Sequence, residues 1–234
     1  MSGEETRREA RVQEARQEAR VEATLFGLIA IGMLVALAVA SHFGGWELLG
    51  FDQTLWIVLA VPQALLVGAL YVTAPLADHV RAHRVATVVI AIVVAGNLAG
   101  LGLLIAALLT EKSSDLSGPQ LLMSGGVLWL TNVIVFGLAF WTLDAGGPAH
   151  RALHGRQAPD FQFPQDENPQ LAGPGWYPRL EDYVYVALTN GIAFSPTDAM
   201  PLTRWAKGLM ALDSIISVGA VLLVGARAVN VLGS

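Results

Sequence analysis

Residues 181–203, EDYVYVALTNGIAFSPTDAMPLT, form a polar, turn-broken stretch directly ahead of the last hydrophobic run of the chain. Asn190-Gly191 and Ser195-Pro196 interrupt it, and a helical crossing takes about 20 consecutive apolar residues. Its first part, from Asp182 to Leu188, reads as a short helix with Glu181 and Asp182 at the end where a helix dipole favours negative charge. The remainder reads as an extended loop. Irregular backbone at membrane depth is tolerated only where protein buries it or where it lines a water-filled cavity. The stretch therefore predicts a re-entrant half-helix followed by a pore-like loop.

Its surroundings are those of a membrane protein. Of 234 residues 54% are hydrophobic and 14% charged, and the mean hydropathy is +0.53. An integral membrane protein is expected and a soluble core is not. Residues 202–232 form the last span, with Asp213 inside it. An ionisable group in a span is costly where it faces lipid, so Asp213 predicts a protein partner or water. Ahead of the insert lies the longest connection, residues 144–180, with six prolines in 37 residues and an apolar contribution from Phe161, Phe163, Trp176 and Tyr177. It is expected to be irregular and to lie on the membrane surface.

Four further spans precede it, at residues 120–143, 85–109, 55–76 and 23–43. Trp129 and Trp141 are expected to anchor the fourth at an interface, and Thr131-Asn132 to hydrogen-bond another helix. Gly96 and Gly100 in the third have the spacing that lets helices approach closely. Pro62 and Gln63 fall inside the second. Residues 1–22 are rich in Glu, Arg and Ala, too highly charged for a cleaved export signal, and predict a helix continuing into the first span. The chain thus divides into a charged N-terminal helix at 1–22, a three-span region at 23–110 and a pore-module-like region at 120–234. The last comprises an outer helix at 120–143, a surface loop at 144–180, a pore helix and loop at 181–201 and an inner helix at 202–232. The expected fold is all-α: five transmembrane helices and one re-entrant half-helix.

Charge sets the orientation. With five spans and a re-entrant insert, every Lys and Arg of the fourteen except Lys112 and Arg227 falls on the N-terminal side. The positive-inside rule then places the N-terminus in the cytoplasm, in a plasma-membrane protein. A crossing insert would move Arg204 and Lys207 outside and Arg227 inside, which the rule separates only weakly.

Tyr185, Asp198, Pro201 and Thr203 fall where the pore region of two-span prokaryotic potassium channels has a pore-helix tyrosine, the aspartate closing the filter signature, and a proline and threonine after it. Ala206-Lys207, Leu209, Leu212-Asp213 and Ala226-Arg227 continue the likeness into that family's inner helix. Over about the last fifty residues the chain thus resembles a potassium-channel pore module. The resemblance implies a homo-oligomer of four, a conducted monovalent cation, and a pore-like loop lined by Thr189, Asn190, Gly191, Ile192, Ala193, Phe194, Ser195, Pro196 and Thr197, with Asp198 either tying the loop to its surroundings or capping the last helix. One departure is large: Ile192 to Thr197 stand where the family has Thr-Thr-Val-Gly-Tyr-Gly, so both signature glycines are missing. Proline fixes φ near −65° and restricts the residue before it, so potassium selectivity by the usual geometry is not expected. More broadly, Trp129 with Asn132, then Asp160-Phe161-Gln162-Phe163-Pro164, Glu181 to Tyr185 and Thr197-Asp198 resemble a group of predicted prokaryotic multi-span membrane proteins of unknown function.

Other chemistry is thinly represented. There is no cysteine, hence no disulfide or thiolate, and a net charge of −5 gives no reason to expect nucleic acid. His150 and His154 share a helical spacing but no carboxylate completes a metal site. Ser195 lacks the flanking glycines of a nucleophile elbow. No catalytic residue, metal or cofactor is expected. Asp160, Asp166, Glu167, Glu181 and Asp182 make the long connection acidic, either as a lure for cations or as solvated surface. The expected function is a channel-like pore whose partners are the bilayer, further copies of the chain and monovalent cations. The alternative is a non-conducting oligomeric scaffold. A small transporter would call for a repeat between halves of the chain, and none is visible.

Overall fold

The computed structural model describes residues 3–48, 51–73, 79–109, 117–148, 150–151, 156–173, 176–193 and 198–232. The order of elements is α1 (Gly3–Gly44), α2 (Thr54–Thr73), α3 (His79–Leu109), α4 (Gly118–Leu143), a 3-10 turn (Asp144–Gly146), β1 (Phe161–Gln162), α5 (Pro164–Glu167), a second 3-10 turn (Pro169–Leu171), α6 (Leu180–Ala193), β2 (Met200–Pro201) and α7 (Arg204–Leu232). Among the described residues the fold is all-α apart from one two-residue strand pair, in which Phe161 faces Pro201 and Gln162 faces Met200.

The helices follow from composition and caps. The charged N-terminal residues join the first span in one 42-residue helix, as their Glu, Arg and Ala content predicts. At the start of α4 the Ser117 amide donates to Gln120 Oε1 at 2.8 Å and Pro119 occupies the first turn, where its missing N–H costs nothing. Pro62 stays inside α2 and packs toward α3, where a methyl added at Gly96 would lie 3.4 Å from its ring. Gly100 faces Leu59 in the same seam. Small residues thus let α2 and α3 approach closely, and Gln63 Nε2 donates to Asn97 Oδ1 at 3.0 Å between them.

Among the described residues three stretches are long and apolar enough to cross a membrane: Val21–Gly44, Thr87–Ala106 and Gly118–Gly146. Length and composition thus support three crossings where the sequence reading expects five. The other two expected spans are described only in part: the described apolar part of α2 runs only from Thr54 to Ala69, and the side chains of α7 are described without a gap only as far as Val221. Both pack side by side with the other helices: α2 against α1 and α3, α7 against α3 and α4.

α4 is the hub of the bundle and touches α1, α3, α6 and α7. Every residue from Thr131 to Thr142 is buried, so this half of the helix is covered on all sides. Trp141, expected at an interface, is instead a core residue among Phe136, Phe140 and Phe161.

Two further expectations change. α6 does not break at Asn190-Gly191 but runs through to Ala193. Tertiary contacts override the local turn signal: Asn190 spends its side chain on α7, and a methyl at Gly191 would lie 2.8 Å from Ser217 Oγ. The long connection, expected on the membrane surface, is also tied into the bundle. Phe161 and Phe163 are buried in the main core with Tyr183, and Trp176 packs against Phe163.

Candidate functional site

Helices α6 and α7 enter the bundle from one end. Phe161 packs edge-on against Tyr183, in the first turn of α6, at 6.1 Å between ring centroids, and against Trp205, in the first turn of α7, at 6.2 Å. Farther along, Asn190 of α6 meets Met210 and Asp213 of α7, and Gly191 lies against Ser217. The two helices therefore run parallel, and Met200 and Pro201 lie back at the level at which α6 began. The β1–β2 pair marks that level, with the Leu202 amide donating to the Asp160 carbonyl at 2.8 Å. Asp198 already lies close enough to Asp182 to disfavour its charge.

The entry end is held by Asp144, the fully buried residue that follows α4. Its Oδ1 accepts the amides of Asp160 at 2.7 Å and Phe161 at 3.2 Å. Its Oδ2 accepts the Tyr183 hydroxyl at 2.5 Å and Arg156 Nη2 at 3.2 Å. Arg151 Nη1 donates to the carbonyls of Trp141 at 2.8 Å and Asp144 at 2.6 Å, closing the C-terminal end of α4 where a cation is favoured. Asp160 repeats the pattern, accepting the Ala145 amide at 3.0 Å and Trp205 Nε1 at 2.8 Å. Arg156 also pairs with Asp166 and stands over the Phe163 ring. A buried carboxylate is stabilised by pairing and hydrogen bonds; Asp144 has both, whereas Asp160 has hydrogen bonds and no ion pair among the described residues.

Burial shapes the ionisation of this end. It raises the Tyr183 phenol well above its usual range and pulls the Arg151 guanidinium down, against the opposing fields of Tyr183 and Asp144. Burial also works against Arg156, but the Asp166 hydrogen bond and nearby acids carry it above its ordinary value. Asp182 is raised by burial despite accepting the Arg179 amide at 2.7 Å. The cluster is a clamp of matched charges.

A second polar knot lies deeper, between α4, α6 and α7. Asp213 is fully buried, and its carboxylate accepts Asn132 Nδ2 at 3.1 Å and Asn190 Nδ2 at 2.9 Å. Asn190 Nδ2 also donates to the Met210 carbonyl at 2.8 Å. Ser217, one turn beyond Asp213, is fully buried beside the carboxylate, and its Oγ makes no well-aligned hydrogen bond. Asn132 Oδ1 and Trp129 Nε1 are likewise buried without a partner.

The residues singled out as a lining separate into groups. Thr189 is half-buried and its hydroxyl bonds back to the Tyr185 and Val186 carbonyls of its own helix. Asn190 and Gly191 are buried, whereas Ile192 and Ala193 are exposed at the deep end of α6. Phe194, Ser195, Pro196 and Thr197 lie outside the described residues, and Asp198 is half-buried. The acidic surface expected along the long connection is partly spent internally, since Asp160 and Asp166 are bound within the fold. His150 Nδ1 is within 3.0 Å of the Ala145 carbonyl, and His154 lies outside the described residues. No group of three or more His, Asp or Glu side chains capable of holding a metal occurs among the described residues. Asp144 and its arginines escape a sequence reading. The available signal is an acid closing a span, with Arg151 and Arg156 seven and twelve residues on. No family model, curated protein or solved structure matches the chain.

Proposed function

We propose that the chain is a channel-like membrane protein that works as a homo-oligomer and conducts monovalent cations. In this reading α1, α2, α3, α4 and α7 span the bilayer of the cell, α6 is a re-entrant half-helix, and the N-terminus is cytoplasmic. The observation that carries it is the common entry of α6 and α7: both begin on the Phe161 ring and run parallel to meet at Asn190 and Asp213. A helix that enters and returns at membrane depth needs protein or water around its turn. The turn belongs beside a pathway in pore-forming proteins. One copy of such a module cannot enclose a pathway, so several copies are required, and the resemblance to potassium-channel pore modules implies four. Of residues 189–198, to which the lining is assigned, the described ones left exposed are Ile192 and Ala193.

A second reading rests on Asn190 and Gly191, whose burial withdraws the polar groups a pathway would use. It makes the chain a non-conducting oligomeric scaffold. Purified oligomer reconstituted into liposomes and assayed for monovalent-cation flux separates the two. Flux above that of empty liposomes is expected. No flux from a verified oligomer overturns the channel and leaves the scaffold.

A further inference from the structure

We propose that Asp213, Asn132 and Ser217 form a binding site for one alkali-metal cation in the interior of the bundle. Charge makes the first argument. Asp213 is fully buried in the last helix and takes part in none of the ion pairs among the described residues. The groups that face it from α4, α6 and its own helix are Asn132, Asn190 and Ser217, all uncharged. α3, which also packs on α7, carries no charged residue between Thr87 and Ala106. Two amide donors and a poorly aligned hydroxyl do not offset the loss of hydration of a whole negative charge in such a setting. A bound cation restores neutrality, and a single negative charge is balanced by a monovalent one.

Ligand chemistry makes the second argument. Asn132 donates its Nδ2 to the carboxylate, so its Oδ1 lies within reach of the same place, buried and unpartnered. Ser217 Oγ stands beside the carboxylate from the next turn of α7 and makes no well-aligned hydrogen bond. Carboxylate, amide carbonyl and hydroxyl oxygens are the donors that hard cations prefer, and the knot contains no thiolate or imidazole to select a softer metal. Trp129 Nε1 is a donor and takes no part in the set.

Direction of the helix makes the third. The last turn of α6 ends beside this knot, with Gly191 against Ser217. A helix C-terminus carries partial negative charge, and the ends of interrupted helices are suited to coordinating small cations. Gly191 keeps the approach open, since a methyl there would lie 2.8 Å from Ser217 Oγ.

The test is binding to the purified full-length protein in detergent, independent of any conduction. Thermal unfolding is followed while sodium or potassium chloride replaces choline chloride at constant ionic strength. A saturable rise in Tm with an alkali-metal salt and none with choline is expected. Affinity should fall by about tenfold per pH unit once protons compete for the carboxylate. Asp213→Asn should abolish the response. Ser217→Ala, which keeps both amide bonds to Asp213 and so guards against a folding defect, should weaken it by about tenfold. Equal behaviour of alkali-metal and choline salts in the wild type overturns the proposal, as does an unchanged response in either variant. Stabilisation by acid alone assigns the neutralising charge to a proton and overturns it equally.

Discussion

The Tyr183 hydroxyl donates to Asp144 Oδ2 at 2.5 Å, joining the first turn of the half-helix to the residue that ends the central helix. Both groups are fully buried, so the bond is shielded from water. Hydrogen bonds to a charged group contribute about 1.5–3 kcal/mol. Tyr183→Phe is expected to destabilise by that amount, read by thermal or denaturant unfolding in detergent. Asp144→Asn should cost more, about 3–5 kcal/mol, because it strips a buried carboxylate from Arg156 and turns an amide donor toward other donors. Equal losses in the two variants would mean that Tyr183 alone carries the contact.

The entry end has a second carboxylate tie of different worth. Glu22 of α1 pairs with Arg179 and accepts the Leu180 amide at 3.2 Å, an acid at the start of α6. The Arg179 side chain is 45% exposed, so solvent and salt screen the pair. Exposed pairs contribute under about 1 kcal/mol. Glu22→Gln should therefore cost less than about 1 kcal/mol, with the loss shrinking further at high salt. A larger effect would show that the α1 contact anchors the half-helix.

Helices α4 and α6 touch through backbone. A methyl at Gly137 would lie 2.7 Å from Val184 Cα, and neither backbone can yield without moving its helix. Gly137→Ala is expected to destabilise by about 1–3 kcal/mol, the usual range for overpacking. Gly126 on the same helix has nothing within 4 Å of such a methyl. Gly126→Ala should be neutral or stabilising by about 0.5–1 kcal/mol, since alanine is the better helix former. The pair of unfolding midpoints checks both together.

The absence of cysteine allows single-cysteine mapping of the topology. Gln17, Met200 and Glu47 are all exposed. With α6 re-entrant, Gln17→Cys and Met200→Cys should react with an impermeant maleimide from one face of the membrane and Glu47→Cys from the other. Labelling of Met200→Cys together with Glu47→Cys would mean that the insert crosses.

Much of this architecture is legible locally. In hydrocarbon every backbone N–H and C=O must be satisfied within its own segment, so an apolar run is read as a helix with little ambiguity. Residues 120–143 and 202–232 are expected as helices and are found at Gly118–Leu143 and Arg204–Leu232. Asp213 likewise declares its need for a partner, because an acid in such a run is unfavourable alone. The start of α6 announces itself by Glu181 and Asp182 in its first turn.

Tertiary structure decides the rest. The partners of Asp213 are Asn132, 81 residues earlier, and Asn190, 23 residues earlier. No spacing along the chain contains either distance. The same contact keeps α6 helical through Asn190-Gly191, where the local signal calls for a break. Asp144 becomes a hub only because the Phe161 turn, Arg156 and Tyr183 converge on it. Local composition records how a backbone satisfies itself. Which buried side chains satisfy one another depends on how closely helices approach, and that is set where Gly137 meets Val184 and Gly191 meets Ser217.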